Sequence, residues 1–163
     1  MPAPEGATIR RAQVADAERV ARLQLDCWDD AYTGLVPQDV LDDGRRTLDG
    51  RIERWREILD DDHRTTLLAE GTAGPAGFAG SGPPRDDDIG LDLELYAIYV
   101  RAAWWGRGLG HALFEQSVGD RPAYLWVVEG NDRALGFYAR QGFRLDGSTK
   151  VEPEGLHLRM VRP

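Results

Sequence analysis

The stretch that most narrows what this chain can fold into runs from residue 91 to residue 118. LDLELYAIYV (91–100) reads as a strand and LGHALFEQSV (109–118) as a helix. Between them Gly106, Gly108 and Gly110 stand at alternate positions across the junction. Glycines there let the backbone approach something closely. The free N–H groups of the first helical turn and the positive end of the helix dipole face the same spot, which favours an anion such as a pyrophosphate. Arg107 adds a charge-assisted donor. The plainer reading is that the glycines only turn the chain and pack the helix on the sheet.

Two common owners of such turns fail on spacing. A P-loop needs Lys and Ser or Thr directly after its last glycine, and here His111 and Ala112 follow Gly110. A dinucleotide fingerprint G-x-G-x-x-G would place its third glycine on His111 when counted from Gly106, or on Leu113 when counted from Gly108.

Around this junction strands and helices alternate. ATIRR (7–11) reads as a first strand, followed by a helix from Asp16 as N-cap, with an apolar stripe through Val20, Leu23 and Cys27. TGLVP (33–37) breaks it, Pro37 opens a short helical turn, and 45–59 is an amphipathic helix through Leu48, Ile52, Trp55 and Leu59. TTLLAE (65–70) and AGFAGS (76–81) form a hairpin, and PPRDDD (83–88) is a loop. YLWVV (124–128) is a buried strand. NDRALGFYARQ (131–141) is a helix capped by Asn131 and closed by Gly142 and Phe143 in a Schellman-type end. FRLDGS (143–148) and LHLRMV (156–161) complete the strands. One α/β domain over residues 1–163 with a mixed sheet is expected.

Charge and composition remove other classes. The formal net charge of −8, from 20 basic and 28 acidic residues, argues against nucleic acid or an anionic membrane surface as partner. It is compatible with a cationic substrate, although acidity for solubility is the simpler account. All basic residues but Lys150 are arginine, which fits the codon usage of a GC-rich bacterial genome. Cys27 is the only cysteine and is expected to be a small buried hydrophobe. The opening MPAPEGATIRRAQ lacks a signal-peptide pattern, and no apolar run approaches the roughly 20 residues of a membrane span, so a cytoplasmic location is expected. His63, His111 and His157 show no metal-ligand spacing, and no metal is expected. The Asp60–Asp62 and Asp86–Asp88 runs read as solvated loops.

LELYAIYVRAAWWGRGLGHALF, followed by YLWVVEGNDRALGFYARQGFR, resembles the two cofactor-binding motifs of the GNAT superfamily of N-acyltransferases. IRRAQVADAERVARL and CWDDAYTGLVP resemble the first strand and substrate-side helices of one subgroup. The resemblance implies an α/β fold of the α+β type. Its central sheet would be mixed, mostly antiparallel and of about seven strands, flanked by helices, with a V-shaped cofactor cleft between the fourth and fifth strands. It implies transfer of an acetyl group from acetyl-CoA, as co-substrate, to a primary amine of a small molecule or peptide. Dimers are common among such proteins, so a homodimer is among the expected states. A non-catalytic acyl-CoA-binding or sensing domain is the alternative.

Residue by residue, the resemblance assigns cofactor contacts to Ile98 and Val100, to Trp105, Gly106, Arg107, Gly108, Leu109, Gly110 and His111, and to Asn131. The family's Q/R-x-x-G-x-G pattern places Gln or Arg where this chain has Trp105, so backbone donors and Arg107 are expected to carry the phosphates. Tyr138 resembles the family's general acid and lies seven residues, two turns, beyond Asn131. Glu94 is the candidate base, directly or through a water. Along 91–100 it shares even parity with Ile98 and Val100, which predicts that it faces the cleft, and Asp92 shares that pattern. Trp28 and Tyr32, at i and i+4, are candidates for the acceptor side, with core packing as the competing role. Loops 33–50 and 82–90 are expected to select the acceptor.

Overall fold

Period-two alternation divides the strands between two helical layers. The computed structural model describes all residues, 1–163. In chain order the elements are β1 (Ala7–Arg11), α1 (Ala17–Tyr32), α2 (Gln38–Arg46), α3 (Leu48–Asp60), β2 (Thr65–Gly71), β3 (Gly74–Gly82) and β4 (Glu94–Val100). They continue with α4 (Leu109–Ser117), β5 (Ala123–Val128), α5 (Asp132–Arg140), β6 (Arg144–Glu152) and β7 (Gly155–Arg162). Leu68 and Phe78 face α1 and α3, packing with Val20, Leu23, Cys27, Ile52 and Trp55. Their neighbours Ala69 and Ala79 face the other way, under Leu109 and Leu113 of α4. α4 and α5 are sealed together by Phe114, Tyr138 and Phe143 over Leu95 and Leu125.

The seven strands form one sheet in the order β1-β2-β3-β4-β5-β7-β6. Every pairing is antiparallel except β4 with β5. That parallel pair holds only at Glu94 with Tyr124 and Leu95 with Leu125, after which the strands diverge. The V-shaped opening implied by the resemblance is therefore present between the fourth and fifth strands. Past Leu95 this edge of β4 has no strand partner, which leaves backbone groups for a ligand to pair.

A bulge interrupts β4 beside the opening. Ala97 pairs with Gly80 and Leu95 with Ser81, so Tyr96 is an extra residue. An extra residue inverts the alternation on one side of it. Leu95 and Ile98 consequently share the α4/α5 layer, and Glu94 falls on the α1 face.

Local elements differ from the sequence expectation in four places. The helix after Pro37 runs nine residues to Arg46, and α3 begins only at Leu48. β4 starts at Glu94, with 91–93 outside it. β6 extends to Glu152, giving a tight β6–β7 hairpin around Pro153 and Glu154. Asp16 stands at the N-cap of α1 without bonding that helix. Its carboxylate instead accepts from the Gln13 N–H at 2.8 Å and from both terminal nitrogens of Arg10 at 2.9 and 2.8 Å. No helix is long and apolar enough to cross a membrane.

Candidate active site

The glycine turn builds one wall of a cavity of about 490 Å³, within the usual size range of small-molecule sites. Gly106 and Gly108 have φ of +73° and +87°, where an L side chain is strained, and a Cβ at either would meet no atom within 4 Å. Gly108 is the N-cap of α4 and supplies no side chain to that end, so the first-turn N–H groups remain free. Ile98, Val100, Leu109, Gly110 and His111 line the same cavity, and α5 closes it with Arg133, Phe137, Tyr138 and Arg140. The elements thus bring together the predicted cofactor residues from Ile98 to His111, apart from Arg107. A donor-rich turn, open space over two glycines and unpaired cations make a donor set that fits a pyrophosphate-bearing co-substrate.

The two tryptophans have separate positions. Trp105 gives its indole N–H to the Val100 carbonyl at 2.8 Å, and the Arg133 guanidinium lies 3.7 Å over its ring. Trp104 lies so close to β2 that a Cβ on Gly71 would fall 2.6 Å from its ring, and it carries the Arg107 guanidinium at 4.0 Å. Arg107 is therefore turned onto Trp104, and Arg133 occupies the neighbourhood of position 105. Arg133, Phe137 and Arg140 fall at spacings of four and three on one face of α5. That face was legible in the sequence but is missing from the expected set. Asn131 caps α5, accepting from the Ala134 N–H at 3.2 Å, and lines a second cavity of about 120 Å³ with Cys27, Ile98, Tyr99 and Arg133.

Tyr138 lines the large cavity from the α4/α5 layer, and its phenol interacts electrostatically with Tyr99 and Tyr32, whose hydroxyls are 2.9 Å apart. Burial first, and the neighbouring Tyr99 second, push its phenol well above the usual range, so it stays protonated at neutral pH. Trp28 packs beside Tyr32 with ring centroids 6.3 Å apart, in a cluster with Val36, Leu41 and Val128. Both candidate acceptor-side aromatics are buried core residues as well as neighbours of Tyr99.

Glu94 is fully buried, at 0% exposure, away from Ile98. Its carboxylate accepts from the Arg85 backbone N–H at 2.9 Å and from the Arg85 guanidinium at 2.5 Å. The Tyr124 hydroxyl lies 2.9 Å from Glu94 Oε1 and 2.8 Å from Asp86 Oδ2, so one proton stands between two carboxylates. Asp86 also accepts from the Trp126 indole at 2.9 Å, and Asp88 pairs with Arg159 at 2.8 Å. Asp86 and Asp88 are thus bonded onto β5 and β7, while Asp87 and Asp88 stay exposed, so the loop is solvated as read but also anchored to the sheet. These partners lie 38 or more residues away in sequence and carry no local signal.

Comparison with known proteins gives this cleft its class. The pattern of the Acetyltransferase (GNAT) family matches residues 18–143, and the chain belongs to that family. It is an N-acetyltransferase. The chain is 27% identical over 163 residues to the uncharacterized N-acetyltransferase YuaI of Bacillus subtilis, covering 94% of this chain and 90% of that protein. It is 28% identical over 156 residues to a probable N-acetyltransferase of Mycobacterium tuberculosis, covering 90% and 84%. Among solved structures, the PaiA N-acetyltransferase of Thermoplasma acidophilum in complex with coenzyme A matches with a TM-score of 0.68 at 17% identity, over 94% of this chain and 97% of that one. A Corynebacterium glutamicum protein described as histone acetyltransferase HPA2 and related acetyltransferase matches with a TM-score of 0.72 at 22% identity, over 97% and 96%.

Proposed function

We propose that residues 1–163 act as a single domain that transfers the acetyl group of acetyl-coenzyme A to a primary amine. The observation that carries this reading is Tyr138, a buried phenol that lines the donor-rich cavity and interacts electrostatically with Tyr99 and Tyr32. The co-substrate supplies a thioester carbonyl as electrophile and a thiolate as leaving group. The first-turn N–H groups of α4, with Arg133 and Arg140, would hold its phosphates. The free β4 edge from Tyr96 to Val100 would pair its amide arm.

Tyr138 donates its proton to the departing thiolate, a task suited to a phenol held protonated by burial. Glu94 takes the amine proton through a water on the α1 face. Tyr124 then passes a proton outward by giving its own to Asp86 and accepting the one from Glu94, along the 2.9 and 2.8 Å contacts.

The test is thiol release across a panel of primary amines, combined with calorimetric binding of acetyl-coenzyme A. Tyr138→Phe is expected to lower kcat by about 100-fold or more, the usual worth of a positioned acid, with co-substrate affinity retained. Glu94→Gln should lower kcat with co-substrate affinity retained. Tight binding with no turnover of any amine would overturn catalysis and leave an acyl-CoA-sensing domain.

A further inference from the structure

Most arginines of this acidic chain are tied by an ion pair or a hydrogen bond, as Arg10, Arg85 and Arg159 illustrate. Arg51, Arg107, Arg133, Arg140 and Arg144 make neither. Arg133 and Arg140 line the cavity already assigned to phosphates, Arg107 stacks on Trp104 at its edge, and Arg144 lies exposed on β6. Arg51 is different, because it sits on α3 in the α1 layer, on the opposite side of the sheet from that cavity.

Two buried donors meet there without acceptors. Arg51 Nε is buried and unpaired, and so is the indole N–H of Trp28, which leans toward the Tyr99 hydroxyl without completing a bond. The guanidinium lies 4.6 Å over the Trp28 ring. Buried polar groups of native proteins are nearly always satisfied, so the orphaned Arg51 Nε calls for a missing partner. Glu154, in the β6–β7 turn, and Asp43 are the opposite charges that act on Arg51, and neither bonds it. Glu154 also acts on Tyr32 and Tyr99. From Tyr99 the α1 face therefore reads Tyr32, Trp28 and Arg51 in order, with the Glu154 charge acting on Tyr99, Tyr32 and Arg51.

Resting on the acetyltransfer reading above, we infer that the acceptor is an amine that carries a carboxylate, with its amine drawn toward Glu154 and Tyr138 and its carboxylate gripped by Arg51. The planar guanidinium matches a carboxylate through two parallel hydrogen bonds, a geometry that neutral hydroxyls and ammonium groups do not offer. A polyamine would meet a like charge at Arg51, so the acidic net charge is a poor guide to the substrate here.

The test compares kcat/KM for matched pairs on the whole enzyme with saturating acetyl-coenzyme A. The pairs are phenylalanine with phenethylamine and 6-aminohexanoate with hexylamine, with aminoethyl phosphate and spermidine as further acceptors. The carboxylate member of at least one pair should be favoured about 10- to 100-fold, the worth of a charge-assisted hydrogen bond. Arg51→Met should raise KM for that member and bring the ratio within its pair toward one, and Arg51→Lys should restore only part of it. Thermal melting of both variants checks that each is folded. Equal use of both members in every pair, preference for spermidine or the phosphate, or a ratio unchanged in folded Arg51→Met overturns the inference. Those results leave acetyltransfer standing, whereas binding of acetyl-coenzyme A with no turnover of any acceptor overturns the reading beneath it.

Discussion

Alanine at position 108 separates the conformational task of the glycine turn from its shape. Gly108 has φ +87° and ψ 2° at the start of α4. An L residue pays about 1–2 kcal/mol to hold that left-handed conformation. A Cβ there would meet no atom within 4 Å, so no steric term adds to this cost. If the fold keeps residue 108 left-handed, Gly108→Ala loses about 1–2 kcal/mol of stability, a fall in Tm of about 2–8 °C for a chain of this size. If the turn relaxes locally instead, the N–H groups swing away, and coenzyme A must restore them on binding. The same cost then emerges as about 5- to 30-fold weaker affinity. Differential scanning calorimetry and isothermal titration with coenzyme A read the two shares, which should sum to about 1–2 kcal/mol. Gly110→Ala is the control. Its φ is not positive, and its Cβ would touch Phe137 and Val100 at an ordinary 3.8 Å, so apo stability should stay within about 0.5 kcal/mol. Wild-type stability and affinity in Gly108→Ala would refute the reasoning, and so would a loss far above 2 kcal/mol.

Two further outcomes concern groups with no assigned part in the chemistry. Asp16, held by Arg10 and the Gln13 N–H, has its carboxyl lowered from 3.8 to about 2. Its folded pKa lies below its unfolded one, so its contribution is present above about pH 4 and fades as pH falls toward 2. Asp16→Asn should cost about 2 kcal/mol in urea titrations at pH 7 and almost nothing at pH 2, and a pH-independent deficit would contradict this. Burial pushes the Cys27 thiol up to about 12, so iodoacetamide should leave the native protein unlabelled at pH 8 and modify it fully in urea. Rapid native labelling would show that α1 opens far more readily than its packing allows.

Much of the cleft was legible because its signals are local. A strand, alternate glycines and an apolar helix fixed the turn, and Gly142 with Phe143 fixed the end of α5. There the Phe143 N–H bonds the Tyr138 carbonyl at 3.1 Å and the Gly142 N–H bonds that of Ala139 at 3.0 Å, as a Schellman end requires. What escaped depends on contacts distant in sequence. The parity argument for Glu94 failed because a single extra residue at Tyr96 inverts the face, and a bulge leaves no mark in a run of apolar residues. Gly44 hid the length of α2 because a helix former is normally expected there. Its missing side chain is a packing requirement, since a Cβ would come within 2.8 Å of Leu25. Asp86 found Tyr124 and Trp126, and Arg159 found Asp88, through the sheet at separations of 38, 40 and 71 residues, too far apart for any local pattern to show.

The bulge in β4 has a consequence for how such an enzyme can change. Because the alternation shifts at Tyr96, Glu94 shares the α1 face with Ala97 and Tyr99, while Leu95, Ile98 and Val100 share the α4 face and Ile98 and Val100 line the large cavity. Substitutions at Glu94 or Tyr99, or in the loop that Asp86 and Asp88 pin down, can remodel one face without touching the other. A one-residue deletion at position 96 would remove the bulge yet leave Glu94 and Tyr99 on one face and Ile98 and Val100 on the other, so it should alter the local twist more than the placement of these side chains. Under the acetyltransfer reading proposed above, the strand would work as a partition that lets acceptor choice drift while the thioester donor stays the same.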